Sequence, residues 1–252
     1  MSNILHYNLF NTAMKLLPNQ KKGLYQQENQ GWEYAFINIW KNTGHRDLIA
    51  VNHSTVRYWD LRYFFDSRLF QLKGLNNMPL PDKVAVNGDM AYNNYLAGGY
   101  PISNLYRVEA LRYMYLINNN SYLEQNKISN KSYNLKLLVI GDYLKVNTVY
   151  QMELLESALN FINYKVDIIV KPHPNYYIDQ SDYPDLNFKV SMEPLSELFP
   201  NCNVVLTSNM TSAATEAYWL GISVISILDP YYLNMSPLRG LNDVDFVTSR
   251  DE

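Results

Sequence analysis

The chain has 252 residues, of which 47% are hydrophobic and 18% are charged, with a net charge of −3. This length suits one large or two small domains, and there is no overall basic field to attract a nucleic acid. The single cysteine, Cys202, excludes an internal disulfide and is typical of a reducing compartment. We expect it to be a buried structural thiol.

The first half predicts helices and strands in alternation. We expect a helix over 1–20, a short extended piece at 23–25 and a helix over 32–40. A buried strand at 47–51 and an irregular segment over 66–82 follow. Next come a strand and turn at 83–88, a helix over 89–96 that Gly98 and Gly99 stop, and a strand at 105–108.

The second half is more regular. Residues 118–134 are polar, and we interpret them as a linker. Strands are predicted at 135–140, 166–170, 188–190, 204–207 and 223–228, with helices over 147–163, 194–199 and 211–220. Strands that alternate with helices predict an α/β fold, a parallel sheet with helices on both faces. The predicted domains are 1–117 and 135–252.

A hydroxyl-rich turn follows one strand of the second half. Thr207 and Ser208 end the strand, and Thr211 and Ser212 begin the next helix. In an open α/β sheet, ligands bind beyond the carboxyl ends of the strands, and hydroxyls beside free helix N–H groups suit a phosphate. Such residues are also ordinary N-caps, but two pairs exceed what one cap requires. Glu216, one turn further on, is placed to accept hydrogen bonds from a ribose, although a solvated helix carboxylate or a local ion pair explains it as well.

His173 stands between two prolines at the end of a neighbouring strand. The prolines stiffen its backbone, and its imidazole can donate to a phosphate oxygen. Lys171 adds positive charge nearby, although a structural turn explains the same run. Arg239 beside Gly240 suits either a diphosphate or acceptor clamp or a surface salt bridge, and the sequence leaves this choice open.

Three residues of the first half are candidates for a general base. His53 and Asp60 lie in the polar segment that follows the strand at 47–51, and Glu28 lies at another strand end. The sequence does not choose among them. The four histidines are scattered, at 6, 45, 53 and 173, so we predict no metal site and no cofactor. No Walker-type or Gly-x-Gly-x-x-Gly loop is present, which argues against an NTPase or a dinucleotide enzyme.

At these residues the chain resembles the GT-B superfamily of glycosyltransferases, which have two facing Rossmann-like domains. The runs Lys171–Pro174, Thr207–Ser212 and Glu216–Ala217 resemble the His-Pro and Ser-Ser/Thr motifs of bacterial sialyl-, polysialyl- and Kdo-transferases. Four further runs, at 53–60, 79–87, 109–113 and 236–240, resemble bacterial surface-carbohydrate proteins of O-antigen or capsule biosynthesis. This second resemblance extends from about residue 20 onward.

The resemblance implies a metal-independent transfer from a nucleotide-sugar donor to a glycan or lipid-linked acceptor, in the cytoplasm and near the inner membrane. By its pattern, His173 and the Thr-Ser helix start hold the nucleotide phosphate, and Glu216 holds the ribose. The His-Pro motif favours a CMP-linked acidic sugar. An inverting displacement then needs a base from the first domain, and the linker would allow the domains to close.

One departure from the family concerns length. A two-domain enzyme of this kind usually needs more than 252 residues, and the first domain holds only two or three strand–helix units. We therefore expect this domain to be incomplete, which leaves catalytic activity open. The alternatives are a truncated or non-catalytic nucleotide-sugar-binding subunit that a partner chain completes, and a nucleotide-sugar epimerase or polyol-phosphate transferase of the same fold.

Overall fold

The computed structural model describes residues 2–57, 59–70, 78–119 and 135–249. The chain divides into two compact units, Met1–Met114 and Tyr115–Glu252. The division falls within a 3₁₀ segment, Leu111–Asn119. The linker expected over 118–134 overlaps the end of this segment, and the remainder of the linker lies outside the described residues.

The first unit contains a four-stranded parallel sheet whose strands follow one another in chain order. One helix connects the first strand to the second and another connects the third to the fourth, because two parallel neighbours require a crossover connection. Its elements are α1 (Ser2–Leu16), β1 (Lys22–Gln27), α2 (Gly31–Asn42), β2 (Asp47–Asn52), β3 (Lys83–Val86), α3 (Asp89–Ala97) and β4 (Leu105–Arg107). The segment predicted as irregular contains a 3₁₀ turn at Ser67–Phe70.

Small and aromatic residues pack the first unit. Gly23 of β1 permits the Trp40 ring of α2 to lie against the strand, since a Cβ there would come within 2.5 Å of a ring carbon. Tyr95 of α3 is fully buried and meets Tyr63 and Tyr100 edge-on, with ring centroids 5.8 and 5.0 Å apart. Several of the abundant tyrosines therefore serve the core.

The second unit contains a six-stranded parallel sheet in the order β10-β9-β8-β5-β6-β7. Its elements are β5 (Leu135–Ile140), α4 (Lys145–Leu159), β6 (Val166–Lys171), β7 (Phe188–Val190), α5 (Leu195–Leu198), β8 (Val204–Ser208), α6 (Ala213–Trp219), β9 (Ser223–Ile227) and β10 (Asp245–Val247). Leu137 and Val139 of β5 form the core with Met152 and Leu155 of α4.

The last strand corrects the sequence prediction, which ended the series at 223–228. Asp245–Val247 is a parallel partner of β9. Three residues show too little periodicity to be recognised, and the strand exists because its backbone pairs with Ile225–Ile227 at the sheet edge.

The prediction for Cys202 is confirmed. Its side chain is buried, and its thiol donates to the carbonyl oxygen of Phe199 at 3.4 Å. Burial raises the pKa of this thiol to about 12. Of the helices that the structure describes, none combines the length and the apolar character that a bilayer crossing needs.

Candidate functional site

The sheet of the second unit has a topological switch point between β5 and β8. From β5 the chain adds β6 and then β7 on one side, and it returns to build β8, β9 and β10 on the other. In open α/β sheets the crevice at such a point, beyond the carboxyl ends of the strands, is where ligands bind. The loops after β5 and β8 therefore define the candidate site.

A buried carboxylate joins these two loops. Asp142, which lies just after β5, is only 2% exposed. Its Oδ1 accepts from the Leu144 N–H at 2.8 Å, and its Oδ2 accepts from the hydroxyl of Ser208 at the end of β8. Hydrogen bonds to an ionised acceptor are stronger than neutral ones. Asp142 therefore holds the loops in a fixed position relative to each other.

Helix α4 is also attached to both strand ends. Its Thr148 hydroxyl accepts from the Asp142 N–H at 2.9 Å. Its Gln151 amide donates to the carbonyl oxygens of Ile140 at 3.3 Å and Leu206 at 3.0 Å, in β5 and β8 respectively. These bonds place the start of α4 beside the crevice, where its N–H groups carry partial positive charge.

His173 lies on the loop after β6, next to the loop that follows β5. A Cβ on Gly141 would lie 3.3 Å from the His173 backbone nitrogen, so the two loops approach closely. The ring Nδ1 accepts from the Asn175 N–H at 3.2 Å. In the neutral ring the proton is then on Nε2, which is a hydrogen-bond donor. The half-buried imidazole also lies edge-on to Tyr143, with centroids 6.3 Å apart.

The four predicted hydroxyl residues occupy two different environments. Thr207 is fully buried, and its hydroxyl donates to the Ile225 carbonyl oxygen at 3.5 Å within the sheet. Ser208 is nearly as buried and is bonded to Asp142. Thr211 and Ser212 are half-buried at the start of α6, as predicted. The Thr211 hydroxyl accepts from the Ala213 N–H at 3.3 Å, and Ser212 makes no capping bond.

Three charged candidates have contacts of their own. Glu216 is half-buried, as predicted, and accepts from the Tyr115 hydroxyl at 2.6 Å. The Lys171 ammonium donates to the Met192 carbonyl oxygen at 2.9 Å, beyond the end of β7. Arg239 is half-buried in the connection between β9 and β10.

A small open cleft of about 40 Å³ lies between the start of α4 and the ends of β8 and β9. Its polar and aromatic lining includes Asn147, Tyr150, Asn209, Asp229 and Tyr232. Leu144, Met210 and Ile227 complete a lining that is mostly apolar, and the cleft is much smaller than the ~300–1,000 Å³ of a typical ligand pocket. Sequence reasoning did not choose these residues as site candidates, because they belong to neither the hydroxyl-rich turn nor the His-Pro turn. For Asn209 and Asp229 the usable signal was their position just after predicted strand ends.

The three candidate bases of the first unit lie in one cluster. His53 Nε2 is 3.0 Å from Glu28 Oε1, and the other oxygen of Glu28 is 3.8 Å from Arg62 Nη1. Arg62 in turn makes a two-bond pair with Asp60, at 2.7 and 2.8 Å. Arg62, which links the two carboxylates, belongs to the same polar segment as Asp60 but was not among the predicted site residues.

The environments of these groups differ. Asp60 is nearly buried, and its hydrogen bonds with Arg62 raise the pKa of that guanidinium. The side chain of Glu28 keeps 41% of its surface exposed. His53 Nδ1 is buried, and it has no hydrogen-bond partner within the part of the chain that the structure describes. Of the two carboxylates in the cluster, Glu28 is therefore the more exposed one.

The turn that carries Glu28 is built by a neighbouring carboxylate. Glu33 in α2 is buried and accepts from the backbone N–H groups of Glu28, Asn29 and Gln30, at 2.9, 3.1 and 3.0 Å. Asn29 adopts a left-handed conformation with φ of 56°, which asparagine tolerates better than most residues. The tight turn places Glu28 directly beyond the end of β1.

Among the described residues, no group of three or more histidine, cysteine or acidic side chains could hold a metal ion. Asp243 and Asp245 form an Asp-x-Asp pattern, a spacing that some metal sites use. Asp243 accepts from the Tyr218 hydroxyl at 3.0 Å and is exposed. Metal independence and the lack of a cofactor remain predictions.

Comparisons with known proteins define the class of fold. Searches against protein-family models and against curated proteins find no match. Solved structures do match. UDP-GlcNAc 2-epimerase from Methanocaldococcus jannaschii, in complex with UDP-GlcNAc and UDP, has a TM-score of 0.57 at 16% identity, over 98% of this chain and 70% of that one. MurG from Acinetobacter baumannii has a TM-score of 0.61 at 12% identity, over 99% and 65%.

A third neighbour is α,α-trehalose 6-phosphate synthase from Burkholderia multivorans, with a TM-score of 0.53 at 11% identity, over 99% of this chain and 64% of that one. The fold is therefore α/β, Rossmann-like and of the GT-B type. At these identities the likeness concerns the fold alone, and the chain spans about two thirds of the length of such neighbours.

Proposed function

We propose that the second unit binds a nucleotide-sugar donor at the switch point between β5 and β8. The observation that carries this proposal is the bond between Asp142 and Ser208, which joins two strand-end loops at the position where open α/β sheets bind ligands. His173 lies on the adjoining loop with Nε2 as its donor. Two matching structures, a UDP-GlcNAc 2-epimerase in complex with UDP-GlcNAc and UDP and HepE from Anabaena in complex with UDP, support the same ligand class.

In this proposal the phosphate is held by His173 and by the hydroxyls of Thr211 and Ser212, which lie half-buried at the start of α6. Glu216 accepts from the ribose, and Tyr115 already holds its carboxylate at 2.6 Å. Lys171 and Arg239 supply positive charge at longer range. Thr207 does not contact the ligand in this proposal, because its hydroxyl donates to the Ile225 carbonyl oxygen. Ser208 holds the two loops together through its hydrogen bond to Asp142.

The proposed reaction is a metal-independent glycosyl transfer. An acceptor hydroxyl attacks the anomeric carbon, the bond from that carbon to the phosphate oxygen breaks, and the nucleotide leaves with the electron pair. Glu28 takes the proton from the hydroxyl, and His53 and Arg62 orient Glu28. We propose a CMP-linked acidic sugar as donor and a surface polysaccharide or lipid-linked glycan as acceptor, at the cytoplasmic side of the inner membrane.

A second candidate function is epimerisation of a nucleotide sugar. The observation that favours it is that several of the matching structures are UDP-GlcNAc 2-epimerases. The two functions are distinguished by incubating the protein with UDP-GlcNAc alone and with CMP-linked sugars plus a glycan acceptor. Conversion of free UDP-GlcNAc to its 2-epimer identifies an epimerase, whereas release of free nucleotide only when acceptor is present identifies a transferase.

The first test is a thermal-shift panel of CMP, CDP, UDP, GDP and their sugars. A ligand that binds only the folded protein stabilises it by RT ln(1 + [L]/Kd), so its melting temperature rises with ligand concentration and with affinity. His173→Ala removes one hydrogen bond to a charged phosphate, worth about 1.5–3 kcal/mol, so the affinity should fall roughly 10- to 100-fold. His6→Ala, which removes an imidazole from α1 of the first unit, is the matched control and should keep the full shift.

Two results would contradict the donor site. One is a panel in which no nucleotide or nucleotide sugar raises the melting temperature. The other is equal affinity of the His173→Ala and His6→Ala variants. If a nucleotide binds but neither reaction occurs, the chain is a nucleotide-sugar-binding subunit, and a partner chain that restores turnover should be sought by co-purification.

A further inference from the structure

The two faces of the sheet in the first unit are covered differently. Its strands follow one another in chain order, and right-handed crossovers that all run in one direction put their helices on one face. Leu48 shares a buried cluster with Trp40 of α2, and Val84 shares one with Tyr95 of α3. Leu48 and Val84 point to the same side, because Ala50, two residues after Leu48, is the register partner of Val84. Helices α2 and α3 therefore lie on the same face.

The opposite face is largely apolar and accessible to solvent. Two rows of register partners run across it, Leu24, Ile49 and Lys83 in one and Gln26, Val51, Ala85 and Tyr106 in the other. We call the side that carries these rows the open face. Leu24 has 72% of its surface exposed and Tyr106 has 47%, and the apolar side chains between them are half-buried. Parallel sheets are ordinarily covered on both faces, so an open face of this kind is suited to a protein partner.

The size of the open face sets the strength of a contact there. Its four strands contain 6, 6, 4 and 3 residues. At a rise of about 3.3 Å per residue and a strand spacing of about 4.8 Å, they cover roughly 300 Å². Two such faces together bury roughly 600 Å², below the ~1,200 Å² at which stable interfaces begin. Two copies that meet only here therefore associate reversibly, in a way that depends on concentration.

The charges of the open face are self-complementary. Lys22 and Asp47 are exposed register partners at the beginning of their strands, on the same side as Leu24. Lys83 lies in the first row, and its ammonium is 5.3 Å from the centre of the Tyr106 ring. Because the face carries both signs of charge beside its apolar rows, two copies related by a two-fold axis can set a lysine of one against Asp47 of the other. A face with a single sign of charge would repel its own copy.

We propose that the open face binds the open face of a second copy of this chain, sheet against sheet, in a two-fold symmetric and reversible dimer. Sheets that pack face to face lie about 10 Å apart, and their side chains interdigitate. Leu24 and Tyr106, at the two edges of the sheet, are buried by this contact, and Asp47 pairs with a lysine of the second copy. The proposal does not depend on the donor site, which lies in the second unit.

The first test is sedimentation equilibrium of the full chain between roughly 1 and 200 µM protein. The mean mass should rise with concentration from the 29.4 kDa of one chain toward twice that value. In L24E/Y106E the dissociation constant of the dimer should rise at least a hundredfold, roughly tenfold for the leucine of each copy.

The matched control is L5E/Y7E. Its leucine and tyrosine lie on α1 and are exposed to nearly the same extent as the pair on the open face, by 70% and 43%. It should dimerise as the unaltered chain does. Because all four side chains are exposed, the melting temperature and the thermal shift with nucleotides should stay unchanged in both double variants.

The second test uses the charges. D47K leaves only basic charges among these positions of the open face, and K22E/K83E leaves only acidic ones, so each variant repels a copy of itself. Each alone should dimerise at least roughly tenfold more weakly than the unaltered chain, because like charges that meet across an interface are costly. An equimolar mixture of the two variants should regain the dimer. This rescue requires the two open faces to meet, and a general loss of stability would not produce it.

Three results overturn the proposal. They are a mean mass that stays at one chain at every concentration, equal dimerisation of L24E/Y106E and the unaltered chain, and a mixture of the charge variants that does not regain the dimer. Loss of the dimer in L5E/Y7E alone would place the contact on α1 and would also overturn it. If the chain is monomeric throughout, the second copy is excluded, and the partner of the open face is a different polypeptide.

Discussion

Asp142→Ala tests the physical basis of the candidate site. Asp142 is 2% exposed and accepts from the Leu144 N–H and from the Ser208 hydroxyl, and Ser208 is itself 5% exposed. Removal of the carboxylate leaves both donors without an acceptor where water has little access. Unsatisfied buried donors cost more than the net gain of an ordinary hydrogen bond.

The magnitude follows from these two bonds. A hydrogen bond to a charged group is worth about 1.5–3 kcal/mol, so two of them set an upper range of about 3–6 kcal/mol. Removing a buried charge recovers part of its desolvation cost, which moves the expected loss to about 3 kcal/mol. Ser208→Ala removes one bond and should cost about 1.5–2 kcal/mol. The two changes share that bond, so the double variant should be about 1–2 kcal/mol more stable than the sum predicts.

The assay is the free energy of unfolding from urea titrations of the two single variants and the double variant. The control is Asp179→Ala, because Asp179 makes the same kinds of bond, to the Ser181 N–H and hydroxyl at 2.9 Å, but is exposed. It should destabilise the chain far less. If the effects of Asp142→Ala and Ser208→Ala are additive, or if the Asp179 control costs as much, the two loops are not held together by this buried bond.

Three further predictions concern other groups. The pKa of Cys202 is about 12 in the folded chain, against about 8.5 for a free thiol, so its contribution to stability is complete below about pH 8.5 and is lost as the pH rises toward 12. Between about pH 8 and 10, a range around and above the free-thiol pKa, the free energy of unfolding should therefore fall less steeply in Cys202→Ala than in the unaltered chain. Equal slopes in the two proteins would refute the burial effect. Glu28→Gln should reduce turnover by about 100-fold at unchanged nucleotide affinity, as expected for loss of a general base. Full turnover in Glu28→Gln would exclude Glu28 as the base. Asp60→Asn should instead lower the free energy of unfolding, because Asp60 is nearly buried against Arg62.

Much of the second unit could be predicted from the sequence. Its strands are apolar runs bounded by polar turns, and parallel strands buried on both faces have this pattern. The ends of β5, β6 and β8 were placed to within one or two residues, so the Thr-Ser turn and the His-Pro turn were correctly assigned to strand ends. The three-residue β10 was missed because its stability comes from pairing with β9 and not from its own composition.

The roles of individual side chains could not be predicted as well. Thr207 and Ser208 are adjacent to Thr211 and Ser212 in the sequence, yet the first pair is buried in internal bonds and the second is half-buried at the helix start. Asp142 had no visible motif, because its partner Ser208 is 66 residues away. Such bonds depend on strand order, which local sequence does not encode.

Apart from β10, the sequence by itself determined which segments of the second unit become strands and helices, because periodicity and turn chemistry are local properties of the chain. Only the tertiary structure decided that Glu28, His53 and Asp60, which the sequence offered as alternative bases, meet through Arg62 in one cluster. It also decided that β8 returns beside β5, which creates the switch point. Both outcomes follow from the pairing of distant strands, and the free energy of that pairing comes from contacts between residues far apart in the chain.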